Sequence, residues 1–178
     1  MDINYAVELQ QILKKPNKVY SIGTKDKWNR VQKELGSSFP KDYINFIDYY
    51  GTGGIGDFLW FLTLFEEDLN VNYKKRSSVM LDAYQESKQK LPEYYSHNLY
   101  PEDNGLLPFA YTDNGDELYW LTKGKPEQWH VVIYESRSPK FYYYAMGLIE
   151  FLYKIVKKLM SCEIFDDDMF YSGMRILQ

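Results

Sequence analysis

The four residues Asp113-Asn114-Gly115-Asp116 constrain the fold of this chain more than any others. They separate two apolar runs, residues 106–111 and 118–121, by a gap that only a tight turn can span. Asn and Gly tolerate positive φ, so the backbone doubles back here and the two runs pair antiparallel. A second turn signal, Gly124 with Pro126, leads to a third strand at Val131, Val132, Ile133 and Tyr134. No strand–helix–strand alternation is present, so a parallel sheet is not expected. The sequence predicts an α+β fold: an antiparallel meander with helices packed mainly on one face.

Helix punctuation precedes the meander. Ile3, Val7 and Leu13 predict a short helix that stops before Pro16. Thr24 is an N-cap candidate, Trp28, Val31 and Leu35 share one helical face, and Gly36 occupies the position of a left-handed C-terminal glycine. Pro40 suits the first turn of the next helix, which carries Tyr43, Phe46, Ile47 and Tyr50 at helical spacing and stops at Gly51. Residues 51–56 read as a glycine-rich connection and 57–65 as an aromatic strand. Ser77 or Ser78 is placed to cap a helix with Leu81, Tyr84, Lys88 and Leu91 on one face, ending at Pro92. Residues 94–105 read as a loop. Residues 141–160 contain Glu150, Lys154, Lys157 and Lys158 and read as an amphipathic helix rather than a membrane span, with Met146, Ile149, Leu152, Tyr153, Val156 and Met160 recurring at helical spacing. Residues 1–160 are expected to form a single domain, and 161–178 an extension.

A net charge of −4 argues against nucleic-acid binding, which needs a basic stripe to displace counterions. The single cysteine, Cys162, can form neither an internal disulfide nor a metal site alone. The N-terminus lacks the basic and apolar regions of a signal peptide, so a cytoplasmic location is the expectation. Gly51-Thr52-Gly53-Gly54-Ile55-Gly56 matches a dinucleotide fingerprint in letters only. It follows a helix and precedes a strand, the reverse of the required context. Asp113, Asp116 and Glu117 lack the spacing of a calcium loop, and turn chemistry explains them. His97 and His130 fall in no metal-binding or catalytic pattern. Neither a cofactor nor an enzymatic activity is expected.

A family resemblance is carried by two blocks. The first runs from Trp28 through Leu35-Gly36, Phe39-Pro40, Asp42-Tyr43 and Phe46-Ile47 to Tyr50-Gly51-Thr52-Gly53. The second joins Leu107-Pro108-Phe109-Ala110 and Asp113-Asn114-Gly115-Asp116 to Leu118-Tyr119-Trp120-Leu121. Together with a closing helix at 148–159, these resemble the SUKH superfamily over roughly residues 24–160. The resemblance implies a non-catalytic protein-binding domain. Bacterial members resemble immunity proteins that neutralise polymorphic toxins; fungal members are regulators of glucan and cell-wall synthesis. Residues 66–105 and the tail depart from a minimal member. The shared positions, Trp28, Gly36, Pro40, Tyr43, Gly51, Gly53 and the 113–116 turn, specify a scaffold, so function is expected elsewhere.

Two surfaces are candidates for a protein partner. Glu66-Glu67-Asp68 offers negative charge to a basic partner, as does the run Asp166-Asp167-Asp168. Tyr94, Tyr95 and Tyr100 offer an exposed aromatic loop, and the chain has 18 tyrosines to draw on. Such tyrosines could also stack on a carbohydrate or small ligand. Tyr142, Tyr143 and Tyr144 are expected to alternate between core and surface.

Overall fold

The computed structural model describes residues 3–36, 38–165 and 176–177. Helix α1 (Tyr5–Ile12) begins at Asn4, whose side chain accepts a hydrogen bond from the Val7 amide. Its buried face is Leu9 with the following Leu13, whereas Ile3 and Val7 are 56 % and 47 % exposed. The helix packs on its Tyr5 side, with the Tyr5 and Tyr153 rings 5.4 Å apart, so the expected apolar face is rotated.

Helix α2 (Lys25–Leu35) has both predicted ends: Thr24 caps the Lys27 amide, and Gly36 closes the helix at φ 62°. Trp28 anchors it against Phe39, Tyr43 and Phe65. Its indole N–H donates to Asp48 at 2.8 Å. Helix α3 (Lys41–Tyr50) follows Pro40 and buries Tyr43, Phe46, Ile47 and Tyr50, the four residues expected.

The glycine-rich segment is not merely a connection. Residues Gly53–Ile55 form strand β1, paired antiparallel with β2 (Leu59–Phe61). The 57–65 strand shrinks because Gly56 and Asp57 both take positive φ and make the turn. Gly54 permits the pairing: a Cβ there would stand 2.7 Å from the Leu59 carbonyl and 2.9 Å from the Trp60 ring.

Helix α4 (Tyr73–Lys90) starts ahead of Ser77, at Asn72, whose side chain caps the Lys75 amide at 3.0 Å. Ser77 lies inside the helix and faces the core with Tyr73, Met80 and Tyr84, so the buried stripe is set from the earlier start and Leu91 is left exposed.

The meander is β3 (Leu106–Thr112), β4 (Glu117–Leu121), β5 (His130–Glu135) and β6 (Lys140–Tyr144), with a 3₁₀ turn (Pro126–Gln128) before β5. Strand β6 replaces the start of the helix expected over 141–160. The three tyrosines continue the sheet, the chain bends at Ala145 and Met146, and α5 spans only Leu148–Val156 after Gly147. With β7 (Ile176–Leu177) against β1, the sheet order is β6-β5-β4-β3-β2-β1-β7, antiparallel throughout.

The Asp113–Asp116 turn is held from within. Asp116 is buried; it accepts from the Thr112 hydroxyl at 2.8 Å and from the Ser136 amide at 3.0 Å, tying the β3–β4 turn to the end of β5. Cys162, Ile164 and Phe165 pack into the core beyond Met160. The Asp166-Asp167-Asp168 run lies outside the described residues.

Side-chain alternation along β4 assigns the helices to faces. Trp120 meets Tyr43 of α3, with centroids 5.0 Å apart, while its neighbour Tyr119 meets Tyr84 of α4 at 6.3 Å. Helix α5 lies on the α3 side, where the Ile149 amide donates to Asp42 of α3. One face is therefore covered by α3 and α5, and the opposite face carries α4.

Candidate functional site

Strand register builds a row on the α4 face. Gly54 pairs with Trp60, Trp60 with Tyr111, Tyr111 with Glu117, Glu117 with Tyr134 and Tyr134 with Phe141. Cross-strand partners share a face, so these side chains stand side by side. Helix α4 does not cover the Trp60 end. A cleft of about 560 Å³ opens there, with Trp60 and Tyr111 in its wall and Thr52, Gly53, Asn70 and Val71 around them.

Three carboxylates share the lining: Glu66, Asp68 and Asp113. Trp60 donates its indole N–H to Asp113 at 2.7 Å, which fixes the ring. Glu66 accepts from the Ser21 hydroxyl at 2.7 Å and from the amides of Glu67 and Asp68 at 2.8 and 3.2 Å. The Ser21 bond, supported by these amides, holds its carboxyl below the usual range, so it stays charged at neutral pH. Asp68 accepts from the Asn70 amide at 2.8 Å. The loop is pinned to the sheet where Thr63 donates to the Val71 carbonyl at 2.7 Å and Tyr73 donates to that of Thr63 at 2.9 Å. The acidic run is thus a folded loop, and two of its three acids, Glu66 and Asp68, border the cleft; Glu67 does not.

The tyrosine loop behaves differently from the expectation of exposure. Only Tyr94 is largely exposed. Tyr95 packs on Tyr84 and Tyr134 and shares a hydrogen bond with the Tyr134 hydroxyl. Tyr100 donates to the Gly36 carbonyl at 2.9 Å. These two rings fasten the 94–105 segment to the fold, and none of the three lines the cleft.

Sequence reasoning missed Trp60, Tyr111 and Asp113 as members of a site. The signal available was alternation in β2, where Leu59 and Phe61 point inward and Trp60 outward. The scaffold residues Trp28, Gly36, Pro40, Tyr43 and Gly51 lie away from the cleft lining, while Gly53 and Asp113 contribute to it.

Farther along the row, Glu117 accepts from the Tyr119 hydroxyl, and burial pushes its carboxyl up to about 7. Arg76 of α4 places its guanidinium 4.5 Å from the Tyr111 ring centroid. His97 bonds the Tyr143 hydroxyl at 2.6 Å, and His130 begins β5 on the surface. Among the described residues no group of three or more His, Cys, Asp or Glu is placed to hold a metal ion. No helix among them is long and apolar enough to cross a membrane.

A protein with this arrangement is an α+β scaffold bearing an acid-rimmed aromatic cleft. Residues 25–152 match the SUKH_6 family model, described as SMI1-KNR4 cell-wall, and the chain belongs to that family. No curated protein and no solved structure gives a significant match.

Proposed function

We propose that this chain is a non-catalytic binding domain that takes a basic protein partner at the Trp60–Tyr111 cleft, and that it acts as an immunity protein, neutralising a toxin by stoichiometric binding. The observation that carries this reading is the composition of the cleft: two aromatic rings and three carboxylates, with no Lys, Arg or His in its described lining. Such a surface attracts positive charge and supplies aromatic anchor area. Family membership and the net charge of −4 support it.

The test is affinity capture of the tagged chain from its own cell extract, followed by titration of the captured protein. One basic toxin-like protein, bound at one-to-one stoichiometry and inhibited on binding, is the expected result. Capture of cell-wall synthesis components instead would shift the reading to a regulator, which the cell-wall description of the matched family favours. An interaction unchanged by Trp60→Leu would remove the cleft from either reading.

A further inference from the structure

We infer that the cleft recognises a guanidinium group, so that an arginine side chain of the partner stacks on Trp60. This rests on the reading of the cleft as the partner-binding surface and names the chemistry it selects. Trp60 differs from the other tryptophans. Trp28, Trp120 and Trp129 are buried and each has aromatic neighbours. Trp60 is only partly buried, and among the described residues its ring has no aromatic or cationic partner.

The ring is nevertheless held in place. Its N–H is anchored on Asp113, and its six-membered ring lies against Gly54, where any Cβ would meet it at 2.9 Å. A fixed aromatic face beside a cavity loses little entropy on binding.

The neighbouring ring shows what this environment accepts. Tyr111 stands directly opposite Trp60 in the strand register and already carries the guanidinium of Arg76. The Arg76 Nε is buried without a hydrogen-bond partner, and the group lies over the Tyr111 ring with the Glu117 carboxylate within electrostatic reach, so ring and carboxylate share the cation. Tyr111 is taken, whereas Trp60 has no ring or cation partner among the described residues, in a cavity shared with Glu66, Asp68 and Asp113. A planar guanidinium can stack on the indole and donate to a carboxylate at its edge simultaneously. An ammonium group offers no plane to stack.

The four indole N–H resonances of the ¹⁵N-labelled full chain provide the readout, with the Trp60 signal assigned from Trp60→Leu. The probes are the capped tripeptide Gly-Arg-Gly and its lysine and citrulline counterparts. The arginine peptide should move the Trp60 resonance saturably and leave the other three in place. Citrulline, a neutral isostere, should bind roughly tenfold more weakly, with lysine between them. Asp68→Asn, which keeps an acceptor for the Asn70 amide, should weaken arginine binding several-fold without changing the fold.

Equal shifts from arginine and citrulline, or no saturable shift at Trp60, would overturn the inference. The failures of the two readings are separable. A captured partner that binds wild type and Trp60→Leu equally sinks the guanidinium pocket and leaves the protein-binding reading standing. Selective arginine binding with no captured partner sinks the immunity reading and leaves the pocket.

Discussion

The two faces of the sheet are built from similar residues to opposite ends. Beneath α3 and α5, Trp120 packs with Phe39, Tyr43 and Phe109 into an aromatic core with no exposure. Beneath α4, aromatic residues are interleaved with Glu117, Arg76 and His97, and at the Trp60 end the helix cover stops. The first face packs its rings against one another and turns their polar atoms inward, as where Tyr50 donates to the Leu13 carbonyl; the second interleaves its rings with charged groups and leaves one as a platform. Their difference shows that aromatic abundance has no single meaning in this protein. What packs above a ring decides its role.

Four changes would break or sharpen that contrast. Trp120→Ala empties the dry face and should cost about 3–5 kcal/mol, read by chemical denaturation. A cost below about 1 kcal/mol would show that this face is not the core that sets stability. Gly54→Ala forces a Cβ against the Leu59 carbonyl and the Trp60 ring and should cost about 1–3 kcal/mol. It should also shift the Trp60 indole resonance, which Trp120→Ala should leave nearly in place.

Glu117→Gln tests the polar face through pH. Burial raises the carboxyl of Glu117 in the folded chain to about 7, from an ordinary 4.5. The folded state then holds a proton that the unfolded state releases. This contribution to stability is full below pH 4.5 and is lost as pH rises through about 7. Glu117→Gln should flatten the wild-type decline in stability across that window, and an unchanged profile would show that another group governs it. The smallest effect on stability is expected for Asp68→Asn, within about 0.5 kcal/mol, because the residue is exposed and an acceptor is kept. Its effect should appear in partner binding alone.

Much of the scaffold was legible because its signals are local. Thr24 and Gly36 bound α2 as expected, and the apolar stripe of α3 needed only helical periodicity. Local reasoning failed where a neighbour distant in sequence takes over. The start of α4 moved to Asn72 because the loop before it is pinned to Thr63. The glycines of β1 became a strand because β2 lies beside them, with the Trp60 ring occupying the space a side chain would need. Half of the candidate site was visible as the acidic run, and its aromatic half was not.

The sequence by itself determined the antiparallel order of the meander, the residues that bound α2 and α3 and the family to which it belongs, because tight turns, caps and motif spacing act over a few residues. Only the tertiary structure decided that Tyr95 and Tyr100 are tied into the fold, that Glu66 and Asp68 border a cleft and that Trp60 is left without a ring partner among the described residues. Exposure depends on what the rest of the chain lays over a side chain. That cover comes from elements brought together by folding, such as α4 and the 94–105 segment, whose positions no local pattern encodes.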